Sequence, residues 1–554
     1  MDNLNNSLLA RSDNANQIVV ERTQSTYSND LAKEPPIHTL STDILEYIFS
    51  LNATDLGVFP SNRTAAAATT MASSQVCTRW RSTALNYPAI WGHIISYDRL
   101  SLSWIDELLR RSAPSLLDFG SRVGCIILTD RPHDSLVLEL VLNNTSRLRV
   151  FSLQAPTACW EPVRTRFLQQ PAPNLEFMMF CLPSNSGLVL NASNLFSNHA
   201  PCLRNLHLSR CAVGFPSSTL MPLTELYIHH TTALNASPTV MSWLCILGEM
   251  SSLRWLTIID SISTDRRNEI GFPTIHLAKL EMLRVAGALH ESVTLINQLI
   301  MPPHCGLKLN CKHARMGVEQ RMLWTIIEGR LNSWETDTPG RYLIANHREH
   351  SIAFGNDPYI GIQWEVTAAE FMYYKRKLPP DPVLAIALNS ENSEDVTPLF
   401  LSLFALFDHT FMTTTYLTLW VEYEPPNGAE VFFPLVDRFR FFLNLESLDL
   451  LGGSHSFLLS ILQHVSPSSS ESVLLPALRA LHFLQGHFRR DSESVAHIAS
   501  FLRWRKERGL PIHTVDILES RIDREFVLSE LRDVTVHMSS WNDSDPDNDE
   551  DYIG

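Results

Sequence analysis

The sequence contains no uncharged apolar run long enough to cross a bilayer. Its best candidate, residues 398–407, ends at Asp408, well short of the roughly 18 residues a spanning helix needs, and reads as a buried element. No basic start precedes an apolar block, so no secretory signal is expected, and triplets such as Asn143-Asn144-Thr145 then carry no glycosylation meaning. Cysteine is sparse: nine residues, an odd number, scattered singly from Cys77 to Cys311. That usage fits free buried thiols in a reducing compartment, so the cytoplasm or nucleus is the expected location. Positive charge is short, with 44 Lys and Arg against 59 Asp and Glu and a net charge of −15. A nucleic-acid backbone demands a basic footprint, which excludes it as the main partner. The phosphate-binding patterns G-x-G-x-x-G and G-x-x-x-x-G-K-[ST] and the metalloprotease pattern H-E-x-x-H are also missing.

Three clusters could carry chemistry, and their spacing argues against each. His304, Cys305, Cys311 and His313 lie within ten residues. Zinc modules pair ligands two to four residues apart in two separated knuckles, and no second knuckle exists here. Gly452-Gly453-Ser454-His455-Ser456 lacks the second glycine of a nucleophile elbow and directly follows a strand-like phrase. His229-His230 ends another such phrase, as a surface or loop pair would. No reaction can be written from these residues, so neither a catalytic role nor a cofactor is expected.

What is present is a globular composition, 45% apolar and 19% charged over 554 residues, enough for about three to four domains, or fewer in a repeat architecture. One phrase recurs: Leu, two residues, an apolar residue, one residue, an apolar residue. It starts at Leu148, Leu175, Leu203, Leu223, Leu253 and Leu280, at intervals of 27, 28, 20, 30 and 27 residues, and again at Leu445, Leu478 and Leu531. Its last two apolar positions alternate with polar ones, as a strand lining one face of a sheet requires, while the leading Leu turns into the same core. Pro173, Pro201, Pro222 and Pro476 sit just before phrases, and residues 135–142 and 239–248 are long enough for return helices. The period is that of leucine-rich repeats. The Asn or Cys of regular units is missing apart from Cys181 and Cys211, so an irregular set is expected.

Between 288 and 440 the pattern loosens. Strands are expected at 342–345, 352–354, 383–388 and 416–421, as degenerate repeats or as a β-rich insert. Further on, a helix at 492–508 and a strand at 513–518 match a late repeat. In a horseshoe of such units the outward side chains between the core leucines form the concave surface, and solvent-facing aromatics there are binding anchors. Tyr227 and Trp255 are accordingly the candidate partner-binding residues, beside Asn205, His207, Glu225, Arg254, Thr257, Glu281 and Arg284.

The N-terminal region reads differently. Ser41 can cap a helix, Asp43 suits its positive end, and Ile44, Leu45, Ile48 and Phe49 make a wide apolar stripe. Downstream, Val76, Trp80 and Ala84 are spaced to share a helical face, with Pro88 expected to end that helix before Trp91. The segment Leu40-Ser41-Thr42-Asp43-Ile44-Leu45-Glu46-Tyr47-Ile48-Phe49, followed by Val76-Cys77-Thr78-Arg79-Trp80-Arg81 and Pro88 to Trp91, resembles the two halves of an F-box. Two departures stand out: Ser41 replaces the family's proline, and an insert at 53–72, expected as a surface loop, separates the halves.

The combination resembles F-box proteins with irregular leucine-rich repeats that abound in mushroom-forming fungi. It implies an α/β solenoid: a helical F-box at 35–95 followed by a leucine-rich-repeat horseshoe of one strand plus a helix or loop per unit. Repeats would occupy 100–287 and 441–540, with the irregular span 288–440 between them, a disordered arm at 1–34 and an acidic tail at 541–554. The resemblance implies a non-enzymatic substrate-recognition subunit of a cullin–RING ubiquitin ligase. Leu40, Ile44, Leu45, Ile48, Val76, Cys77, Trp80 and Trp91 would bind a Skp-type adaptor, and the repeats would bind a protein substrate. A scaffold with a degenerate F-box, outside ubiquitination, is the alternative.

Overall fold

A computed structural model describes residues 40–54 and most of 61–334, with short gaps such as 121–124, 183–188, 214–217, 230–236, 264–270 and 313–316. From 342 to 539 it describes mainly 342–346, 351–355, 384–388, 414–420, 438–451, 474–484, 493–518 and 534–539. The expected arm at 1–34 and tail at 541–554 lie outside the described residues.

The chain opens on helices: α1 (Thr42–Thr54), α2 (Ser61–Ser73), α3 (Thr78–Leu85), α4 (Pro88–His93) and α5 (Leu102–Arg111). The Ser41 hydroxyl accepts from the Ile44 amide at 3.4 Å, the cap its position suggested. Two local expectations are corrected. Pro88 does not merely end a helix; it opens α4, where its missing N–H costs nothing. The insert at 53–72 is not a surface loop: it contains α2, whose Ala66 and Ala67 are buried in the core. Alanine forms helix readily and lets helices approach closely, so this run packs where a bulkier one could not.

The rest is built on one large sheet. Its first strands are β1 (Leu117–Phe119), β2 (Ile126–Ile127), β3 (Leu148–Gln154) and β4 (Phe177–Cys181). A short β5 (Val189–Leu190) and β7 (Ala212–Val213) pair with each other apart from it, on either side in sequence of β6 (Asn205–Ser209). Then come β8 (Glu225–His229), β9 (Trp255–Ile259), β10 (Ile275–His276), β11 (Met282–Ala288), β12 (Leu299–Ile300) and β13 (Gly306–Lys312), with β10 and β12 again a separate pair. The last are β14 (Tyr342–Asn346), β15 (Ser351–Gly355), β16 (Leu384–Leu388), β17 (Tyr416–Trp420), β18 (Ser447–Leu451), β19 (Ala480–Leu484), β20 (Thr514–Leu518) and β21 (Thr535–Ser539).

In the large sheet β3, β4, β6, β8, β9, β11 and β13 lie side by side in chain order, all parallel. β16, β15 and β14 follow in reverse order through two antiparallel pairings, and β17 to β21 resume the parallel run. The sheet is therefore mostly parallel, is not closed into a barrel, and passes through the loosely patterned middle without a break. That middle region is a continuation (β13) plus an antiparallel excursion (β14–β16), combining the two readings its sequence allowed.

Register carries the phrase across the sheet. Leu206, Leu226, Leu256, Leu283 and Leu307 are direct neighbours, as are Leu208, Ile228, Ile258, Val285 and Leu309. All are buried, and so are the leading Leu148, Leu175, Leu203, Leu223, Leu253 and Leu280. Helices between strands cover this face: α6 (Pro132–Leu142), α7 (Val240–Gly248), capped by the Thr239 hydroxyl, and α8 (Leu289–Asn297). Farther along, Arg505 is buried in the helix Glu493–Glu507 and donates to the carbonyls of Leu474, Leu475, Leu478 and Leu510 at 3.1–3.3 Å, tying that helix to the loop before β19.

The opening helices are joined to the sheet by charge and close approach. Arg149 of β3 grips Asp118 of β1 with two hydrogen bonds of 2.7 and 3.0 Å, and His93 of α4 meets the same carboxylate at 3.0 Å. Gly92 lets α4 press on the segment before β1, since a Cβ there would stand 2.7 Å from the Leu116 carbonyl oxygen. Burial alone would raise the Asp118 pKa, but the hydrogen bonds from His93 and Arg149 outweigh it and hold the carboxyl at about 2.

Because that value lies below the ordinary 3.8, the stability Asp118 contributes is present above about pH 4 and disappears as pH falls through about 2. The shift corresponds to about 2 kcal/mol. Asp118→Asn should therefore lose roughly that much in urea unfolding at pH 7. The gap between variant and wild type should narrow steadily in the same titration carried from pH 4 to pH 2.

Candidate functional site

The opening helices expose an apolar face. On α1, Leu45, Phe49 and Ala53 recur every four residues and are buried, whereas Ile44, Tyr47 and Leu51, spaced three and four apart, form a second stripe left in solvent. Their exposures are 47%, 64% and 48%, and Val76 beside α3 is 61% exposed. Large apolar side chains gathered on one helix are unusual in solvent and mark contact surfaces.

Beneath this stripe the packing is fixed. Phe49 meets Trp80 edge to face at 5.3 Å. The Cys77 sulfur caps α3 by accepting from the Trp80 amide at 3.4 Å, and the Arg79 guanidinium donates to the Leu40 carbonyl ahead of α1. Trp91 is buried, its indole N–H donating to the Ala84 carbonyl at 2.8 Å while the Arg111 guanidinium sits 5.1 Å over its ring.

The eight expected adaptor residues therefore divide. Ile44 and Val76 are surface residues; Leu40, Ile48, Cys77 and Trp80 are half-buried supports; Leu45 and Trp91 are core and cannot touch a partner. The shared face expected for Val76, Trp80 and Ala84 is not formed, because α3 starts at Thr78 and leaves Val76 outside it. Tyr47 and Leu51 were missed, although their spacing from Ile44 is the signal that finds them.

The face of the sheet opposite the leucines holds Tyr227 and Trp255, and here the expectation of solvent-facing anchors is corrected. Tyr227 is 1% exposed, part of a second apolar cluster with Val150, Phe177, Met179, Ile259 and Ala286, and burial pushes its phenol pKa up. Trp255, at the first position of β9, is half-buried. Beside Tyr227 a polar group is equally enclosed. His207 packs 5.1 Å from Phe177 and 5.4 Å from Tyr227, its Nε2 lies 3.0 Å from Glu225 Oε1, and Asn205 donates to the other Glu225 oxygen at 2.6 Å. In the next strands Arg284 is buried, and its register neighbour Lys308 is pushed down to about 8 by desolvation and by the Arg284 charge. Alternation correctly assigned these residues to the non-leucine face; it could not tell that this half of the face would be enclosed.

Of the clusters weighed for chemistry, Cys305 and Cys311 are core residues whose thiols burial raises to about 12, which makes poor ligands and nucleophiles. His313, His230 and residues 452–456 lie outside the described residues. His229 approaches the Ser209 hydroxyl at 3.3 Å. Among the described residues no three His, Cys, Asp or Glu side chains converge to hold a metal, and no helix is long and apolar enough to cross a membrane.

No family model matches this sequence, and no curated protein matches it either.

Burial grades the thiols. Cys202 and Cys245 are exposed, whereas Cys159, Cys305 and Cys311 are buried. Ellman's reagent should label the first two within seconds to minutes and the buried three only on unfolding, a difference of at least a hundredfold in rate on the thiolate and access rules. Stopped-flow labelling with peptide mapping measures it.

Proposed function

We propose that the protein is a substrate-recognition subunit of a cullin–RING ubiquitin ligase, with residues 35–95 acting as an F-box that docks a Skp-type adaptor. The observation that carries this reading is the exposed apolar stripe Ile44, Tyr47 and Leu51 with Val76, standing on helices whose sequence resembles both halves of that motif. The in-register parallel strands support the companion reading, an irregular leucine-rich-repeat solenoid that holds the substrate. Such a protein forms and breaks no bond itself. It raises the concentration of a substrate lysine near activated ubiquitin, which is proximity in place of covalent catalysis. Cytoplasm or nucleus is the location this role requires.

A second reading, a scaffold outside ubiquitination, draws on two features of the same helices. Ser41 stands where the family has proline, and α2 is an added helix packed into the module. In that case the exposed stripe would serve another partner.

Because Ile44 is about half exposed, Ile44→Asp leaves the fold intact and acts only where a partner covers the stripe. Burying the new carboxylate unpaired would cost several kcal/mol of binding. Co-expression with a Skp-type adaptor and affinity pull-down should recover the adaptor with wild type and lose at least nine-tenths of it with Ile44→Asp, at unchanged melting temperature. Equal recovery with both, or none with either, would falsify the adaptor role.

A further inference from the structure

A cleft of about 370 Å³ lies between the end of α8 and a following helix, α9 (Val318–Trp334). Its first wall is Ile296 at the end of α8, Leu299 and Ile300 of β12, and Met301 just after. Its second wall is α9. There Thr325 and Gly329 are four residues apart, as are Ile326 and Arg330, so two adjacent columns of one helical face line the space. The volume falls within the roughly 300–1,000 Å³ of small-molecule sites.

Glycine is the position that sequence and packing leave unexplained. Gly329 sits in the interior of α9, where only proline suits a helix less. Gly92 needs its missing Cβ for a close approach, but a Cβ at Gly329 would meet nothing within 4 Å. No neighbour therefore demands a glycine at this position. What a larger side chain there would occupy is the cleft itself, so the glycine keeps that space empty.

The lining selects the ligand. Ile296 and Leu299 are buried, Met301 and Ile326 are half-buried, and Ile300 remains 48% exposed, so most of the surface on offer is aliphatic. Among the described residues Arg330 is the only charged side chain that lines the cleft, and it is 8% exposed. Its guanidinium donates to the Pro302 carbonyl at 2.8 Å, which fixes its place in the wall. Burial pushes the Arg330 pKa down, a cost to the cation that a nearby anion offsets. We propose that the cleft binds a medium-chain aliphatic carboxylate, its chain against Ile296, Leu299 and Ile326 and its carboxylate on Arg330. Charge-assisted bonds to a guanidinium are the strong kind, and a carboxylate matches its fork. The proposal stands apart from adaptor binding and is tested without an adaptor.

Isothermal titration calorimetry of the full-length chain uses three probes: octanoate, octanol (the chain without the charge) and acetate (the charge without the chain). Octanoate should bind at least tenfold tighter than either of the others. Because Arg330 also holds the turn at Pro302, the need for charge is read from the probes rather than from a variant of Arg330. Gly329→Leu should weaken octanoate tenfold or more while melting no lower than wild type, since leucine favours helix and its Cβ meets no neighbour. Thr325→Trp, at an exposed position of the same helical face, blocks the cleft independently and should do the same. No octanoate binding, octanol or acetate within tenfold of octanoate, or full octanoate binding by either folded variant would each overturn the proposal.

Discussion

Parallel register is the constraint on which this structure depends. A five-residue strand offers two inward apolar side chains, and a leading leucine adds a third. Burying three such groups is worth about 5–8 kcal/mol, while fixing the backbone of five residues costs a comparable amount. One unit is therefore near balance, and it becomes stable only when its leucines lie against those of the next strand. The rows through Leu206, Leu226 and Leu256 and through Leu208, Ile228 and Ile258 are that contact repeated. Spacings between 20 and 30 residues are tolerated because loops absorb the difference at small entropic cost, whereas a one-residue slip in any strand would turn its leucines to the wrong face.

A sheet built this way has an unfinished N-terminal end, and the opening helices meet it there. β1 and β2 both pair with β3, and α4 closes on β1 through Gly92 and the Asp118 carboxylate shared by His93 and Arg149. Arg147 adds a second tie, donating to the Ser115 carbonyl and the Ser112 hydroxyl past the end of α5. The helices whose outer stripe is the proposed docking face are thus anchored to the sheet by buried, directional contacts, so that face has a fixed position relative to the strands that follow.

The other face of the sheet divides in two. Around His207, Glu225 and Tyr227 the side chains are enclosed, with Glu225 held between His207 and Asn205. At β19 and β20 the same register positions are half-buried, and His482 meets Asp516 at 2.8 Å.

By itself the sequence determined the strand phrase, its buried leucines, the cap at Ser41, the helices before β9 and β20, and the face each strand residue occupies, because these follow from local periodicity and backbone chemistry. Phrases starting at Leu445 and Leu478 even marked strands far beyond the irregular middle. It could not show that β14, β15 and β16 enter the same sheet in reverse order with β15 alone antiparallel, since pairing direction depends on contacts distant in the chain. Nor could it show that Tyr227 is covered, that α2 fills the insert, or that Ile44 faces water while Leu45 faces the core. Each depends on which other element arrives at that surface, and only the tertiary structure decides that.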